Sequence, residues 1–64
     1  MFTPEEILFM KELGLKYSFG NLTDEQWVKI EDVVATELET KGLDKNYNPN
    51  EIGKICESIL SKLP

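Results

Sequence analysis

The chain has 64 residues, 41% apolar and 30% charged, with a net charge of −5. That length holds one small domain and leaves no room for a large enclosed cleft, and the apolar fraction excludes a disordered tail. All seven basic residues are Lys and there is no His, which speaks against nucleic acid, anionic membrane surfaces and histidine-based catalysis or metal binding.

The first element opens at Phe2-Thr3-Pro4-Glu5-Glu6-Ile7. An apolar residue, a capping residue, two further positions, Glu or Gln, then another apolar residue form a helix start. The capping side chain and the Glu or Gln satisfy orphan backbone N–H groups, and the two apolar residues staple across the entry. Pro4 takes the favoured first helical position. Gly14 suits a left-handed stop, with Leu15 packing back onto Met10. The prediction is a helix over about 4–13, apolar nearly all round through Ile7, Leu8, Phe9, Met10 and Leu13.

Residues 15–22 alternate apolar and polar, which can mark a strand. No second strand-like run exists to pair with it, so it reads as an ordered connection. Its Leu15, Phe19 and Leu22 close one end of the core.

The second start is Leu22-Thr23-Asp24-Glu25-Gln26-Trp27, predicting a helix over about 24–41. Trp27, Ile30, Val34 and Leu38 share one face at about 100° per residue, with Ala35 flanking. Glu31 falls towards the apolar side and Val33 towards the polar side. Gly42 suits a second left-handed stop, with Leu43 packing onto Leu38.

The third start, Tyr47-Asn48-Pro49-Asn50-Glu51-Ile52, places a cap at Asn48 and a helix over about 49–62. Its stripe is Ile52, Ile55, Cys56, Ile59, Leu60 and Leu63. The expected fold is all-α, a compact three-helix bundle forming a single domain over 1–64. Its expected core is Trp27, Ile30, Val34, Leu38, Ile52, Cys56 and Ile59, with Phe9 and Leu13 from the first helix.

Motifs that could carry chemistry fail on their own requirements. Asp44, Asn46 and Asn48 have calcium-loop spacing, but the sixth and twelfth positions hold Pro49 and Ile55 where Gly and a bidentate Glu are needed. Cys56 is the lone thiol, set mid-helix among apolar residues, which suits a small core residue rather than a nucleophile. One cysteine forms no internal disulfide and fits a reducing compartment. Glu5-Glu6, Asp24-Glu25 and Glu31-Asp32 are adjacent on helices and point about 100° apart, so they do not face one pocket. Ser18, Ser58 and Ser61 lack the Asp-Ser-Leu context of an acyl carrier. No catalytic residue, cofactor site or metal site is expected, and the protein is read as non-enzymatic.

Glu25, Asp32 and Glu39 are seven apart and form a line along the outer face of the second helix. They are the candidate partner-binding residues, for a basic protein surface. The aromatic connection around Tyr17 and Phe19 is the second candidate. The alternative to this interaction module is a structural subunit that forms a homodimer through leftover apolar surface. No apolar run approaches a membrane span, and the start MFTPEEILFM lacks signal-peptide features, so a cytoplasmic protein is expected.

The run Gly42-Leu43-Asp44-Lys45-Asn46-Tyr47-Asn48-Pro49-Asn50-Glu51-Ile52-Gly53-Lys54-Ile55-Cys56-Glu57-Ser58-Ile59-Leu60 resembles a group of short acidic proteins encoded in Gram-positive bacteria and their phages. Leu13-Gly14-Leu15 and Asn21-Leu22-Thr23-Asp24-Glu25 share the resemblance, which covers most of the chain. It implies no activity, ligand or residue role. It implies a cytoplasmic protein of phage or prophage origin, with an accessory or host-modulating factor as the natural version of the module.

Overall fold

Thr3, Thr23 and Asn50 open the three helices of the protein, α1 (Pro4–Glu12), α2 (Asp24–Lys41) and α3 (Glu51–Leu60), in a computed structural model that describes residues 2–63. Two of these starts are full capping boxes. Thr3 Oγ1 accepts from Glu6 N at 3.2 Å while Glu6 Oε1 accepts from Thr3 N at 2.9 Å. Thr23 and Gln26 repeat the exchange at 3.2 and 3.0 Å. Each box satisfies two backbone donors that a helix start otherwise leaves orphaned.

The third start differs from expectation. Asn50, not Asn48, is the cap, and α3 is shorter than the expected 49–62. Asn50 Oδ1 accepts from Gly53 N at 2.9 Å, and its Nδ2 donates to Lys41 O at 2.9 Å. Its backbone N donates to Gly42 O at 3.0 Å. One residue thus serves the open start of α3 and the open end of α2, which Asn48 does not. Asn48 instead joins the intervening loop, where Leu43 and Pro49 form an isolated antiparallel bridge. Leu43 is half-buried beside that bridge.

The two glycine stops work by different physics. Gly14 has φ +91°, with its N–H on Lys11 O and the Leu15 N–H on Met10 O. This is the double-bonded left-handed stop, and Leu15 and Met10 are both buried in the core beside it. Gly42, expected to be left-handed, has φ −90°. Its lack of a side chain serves a close approach instead. A Cβ at Gly42 would lie 2.9 Å from Gly53 Cα, and one at Gly53 would overlap the Gly42 carbonyl oxygen. The end of α2 and the start of α3 therefore meet backbone to backbone, and α2 with α3 is the closely packed helix pair.

The core is Phe2, Met10, Leu15, Ile30, Val34, Cys56 and Ile59. Trp27, Leu38, Ile52, Phe9 and Leu13, expected inside, are half-buried and packed against that cluster. Met10 of α1 takes an interior position, as do Phe2 and Leu15, which flank that helix. Val33, expected on the polar side, is half-buried against the core, while Glu31, expected near the apolar side, is exposed. The α2 residues that pack in or against the core, Trp27, Ile30, Val33, Val34 and Leu38, span about 140° at 100° per residue. That arc is broader than the stripe of Trp27, Ile30, Val34 and Leu38 and is rotated towards Val33.

Residues 15–22 form no strand, and Leu15, Phe19 and Leu22 close the core as expected. Phe2 packs edge-on to Phe19 with ring centres 6.0 Å apart and touches Trp27 at 5.9 Å.

Glu6 does more than cap. It is buried, its Oε2 accepts from Ser58 Oγ at 2.5 Å, and its Oε1 accepts from Lys62 Nζ at 2.6 Å. The start of α1 is thereby tied to the far end of α3.

Candidate functional site

Glu25, Asp32 and Glu39 are all exposed on α2, as a seven-residue spacing requires. Glu25 and Asp32 line an open groove of about 460 Å³ together with Val28, Lys29, Glu31 and Ala35. Glu39 lines no part of it. A second hollow, about 200 Å³, adjoins it through shared Val28 and Glu31 and adds Asp24, Trp27 and Leu63. The combined face carries four carboxylates and one Lys around an apolar strip of Trp27, Val28, Ala35 and Leu63.

Val28 is the residue the sequence reading missed. It is 66% exposed at the middle of this strip, whereas Val33, singled out from the pattern, is half-buried. Position 28 lies about 100° from Trp27, within the polar arc, and that mismatch is the signal that could have found it.

Tyr17 and Phe19 belong to a different groove, about 280 Å³, with Phe2, Ile7, Lys11 and Gly20. Both are half-buried. A row of rings runs from one groove to the other: Tyr17 to Phe19 at 6.3 Å, Phe19 to Phe2 at 6.0 Å, and Phe2 to Trp27 at 5.9 Å. The structure therefore groups Glu25 with Asp32 and Tyr17 with Phe19, but does not bring the two pairs into one groove.

Two titratable groups are shifted from their ordinary values, and neither is placed for chemistry. Burial pushes the Glu6 carboxyl up, but hydrogen bonds from Lys62, Ser58 and the Thr3 backbone outweigh it and hold the group down at about 2. A carboxylate that accepts three hydrogen bonds and is that weak a base suits structure, not proton abstraction. Burial pushes the Cys56 thiol up, and the negative charges of Glu37 and Glu57 add to the effect. A buried thiol with a raised pKa is a poor nucleophile. In the loop with calcium-like spacing, Asp44 Oδ1 accepts from Asn46 N at 2.8 Å and from Asn48 N at 3.0 Å. That carboxylate is engaged in shaping the turn. Among the described residues, no cluster of three or more His, Cys, Asp or Glu is arranged to hold a metal ion, and no helix is long and apolar enough to cross a membrane.

The fold is an all-α three-helix bundle. Compared with known proteins, the chain matches no family model, no curated protein and no solved structure.

Proposed function

We propose that the protein is a small non-enzymatic interaction module that docks through the outer face of α2 on a basic protein surface. The observation that carries this reading is the apolar strip around exposed Val28, bordered by Asp24, Glu25, Glu31 and Asp32. Apolar contact at the centre supplies affinity, and the carboxylate rim steers a cationic partner into register. The resemblance to short acidic proteins of Gram-positive bacteria and phages makes an accessory or host-modulating factor the natural form of such a module. A homodimer through this same face is disfavoured, because a two-fold contact would set the acids of one copy against those of the other.

The test is charge reversal. A Glu25→Lys, Asp32→Lys, Glu39→Lys variant should keep its helical circular dichroism and associate more slowly with a captured basic partner, most at low salt. Because Glu39 lies outside the groove, Glu25→Lys with Asp32→Lys alone should account for most of the loss. Unchanged association with the fold intact moves the interface to the groove of Tyr17 and Phe19.

A further inference from the structure

The first half of α2 repeats after seven residues. Asp24-Glu25 followed by Trp27-Val28 recurs as Glu31-Asp32 followed by Val34-Ala35. In each unit Trp27 or Val34 packs in or against the core, and Val28 or Ala35 lines the open groove. At about 100° per residue, Asp24 and Glu31 lie about 40–60° to one side of Val28, and Glu25 and Asp32 about 40–60° to the other. A narrow apolar seam thus runs along the helix between two acidic rows.

Those rows carry uncompensated charge. Glu6 pairs with Lys62 and Glu37 with Lys41, whereas among the described residues no Lys lies within ion-pair reach of Asp24, Glu25, Glu31 or Asp32. Even Lys29, one turn after Glu25, pairs with neither Glu25 nor Asp32. A partner that covers the seam therefore has to bring cations along both of its edges.

The pitch of the repeat selects the partner's shape. Seven residues of helix rise about 10.5 Å. A second helix repeats its own side chains at that interval, so one lying nearly along α2 meets both units in register. A strand presents the same face at intervals of about 6.6 Å and falls out of step within one unit. We infer that the α2 groove takes a basic amphipathic helix of another protein, its apolar seam on Val28 and Ala35 and a row of Lys or Arg against each acidic row. This chain has no such helix to offer a second copy, since α1 and α3 each hold one Lys and α2 two. The inference rests on the reading of α2 as a docking face and adds the form of what docks there.

The test titrates the full chain with two synthetic peptides at about 150 mM salt. The first is about three heptads long, with an Ala and Leu seam bordered by Arg on both sides. The second is the same peptide with two central seam residues replaced by Pro, which keeps the charge and abolishes the helix. The helical peptide should bind at least about tenfold more tightly than its Pro form, and the amide resonances it shifts should centre on Val28 and Ala35. Val28→Gln, at an exposed position, should weaken the helical peptide about fivefold and leave the Pro form unchanged. Glu25→Lys with Asp32→Lys should weaken both. Equal binding of the two peptides, with both weakened by the charge reversal, overturns the helix inference while the α2 docking face stands. Shifts centred on Tyr17 and Phe19, binding that ignores the reversal, or no binding by either peptide overturns the inference and the docking face together.

Discussion

A methyl group at position 53 would overlap the carbonyl oxygen of Gly42. Helix propensity alone makes Ala better than Gly by about 1 kcal/mol in a helix interior. The close approach predicts the opposite sign. Gly53→Ala should destabilise by about 2 kcal/mol, since backbone atoms cannot step aside as a flexible side chain can. In a domain of this size that is roughly a 10 °C fall in melting temperature, read by thermal unfolding. A rise would mean that α2 and α3 do not meet as closely as Gly42 and Gly53 place them. The sequence marks Gly42 as a stop and leaves Gly53 unremarked. A contact between two backbones leaves no trace in periodicity or charge, only the absence of side chains at two places eleven residues apart.

At the scale of elements, helix type and the first two starts are legible because their causes are local. Thr3 with Glu6 and Thr23 with Gln26 lie three residues apart, and the periodic stripes lie within one helix. The third start is not decided locally. Asn48 and Asn50 both offer a capping side chain, and the choice rests on Lys41 O and Gly42 O, which belong to another element. Asn50→Ala should therefore cost about 1–2 kcal/mol, for the cap and for the lost bond to α2. Asn48→Ala should stay within about 0.5 kcal/mol, because its side chain is exposed and its loop bonds are made by backbone. Denaturant unfolding of the two variants separates the alternatives, and a larger loss at Asn48 would restore the start at that residue. The core of α1 was hard to read for a related reason. The apolar residues of α1 are spread nearly all round the helix and mark no single face, so only the tertiary structure selects Met10 over Phe9.

The whole molecule is joined end to end through Glu6, whose carboxylate meets Ser58 and Lys62 from the other end of the chain. Its folded value of about 2 lies below the ordinary 4.5. The folded state thus holds the proton less tightly than the unfolded state. The stabilisation is complete above about pH 5 and is lost as pH falls from there through about 2. The full shift corresponds to about 3 kcal/mol. The comparison that isolates this group is wild type against Glu6→Gln. The variant should be less stable at neutral pH and should show a flatter loss between pH 5 and pH 2. Parallel acid-unfolding curves would show that Glu6 is not the responsible group. Nothing in the sequence pairs residue 6 with residue 62, since the partners are 56 positions apart and each has an ordinary local role. The α2 surface divides in the same way. Its charges were legible from spacing, but its apolar strip was not. The strip depends on how the helix is rotated about its axis, and packing sets that rotation.

Cys56 is fully buried on the inner side of α3, with its thiol pushed up by burial and by the charges of Glu37 and Glu57. A maleimide or iodoacetamide molecule can reach that sulfur only when the helix comes away. Each chain can be tagged once and never untagged, so the mass of the population keeps a running count of excursions from the native state. When reclosing outpaces tagging, the count measures how often the helix stands open; when tagging outpaces reclosing, it measures how fast it leaves. The protein carries a built-in recorder of its own fluctuations, with a single bit per molecule.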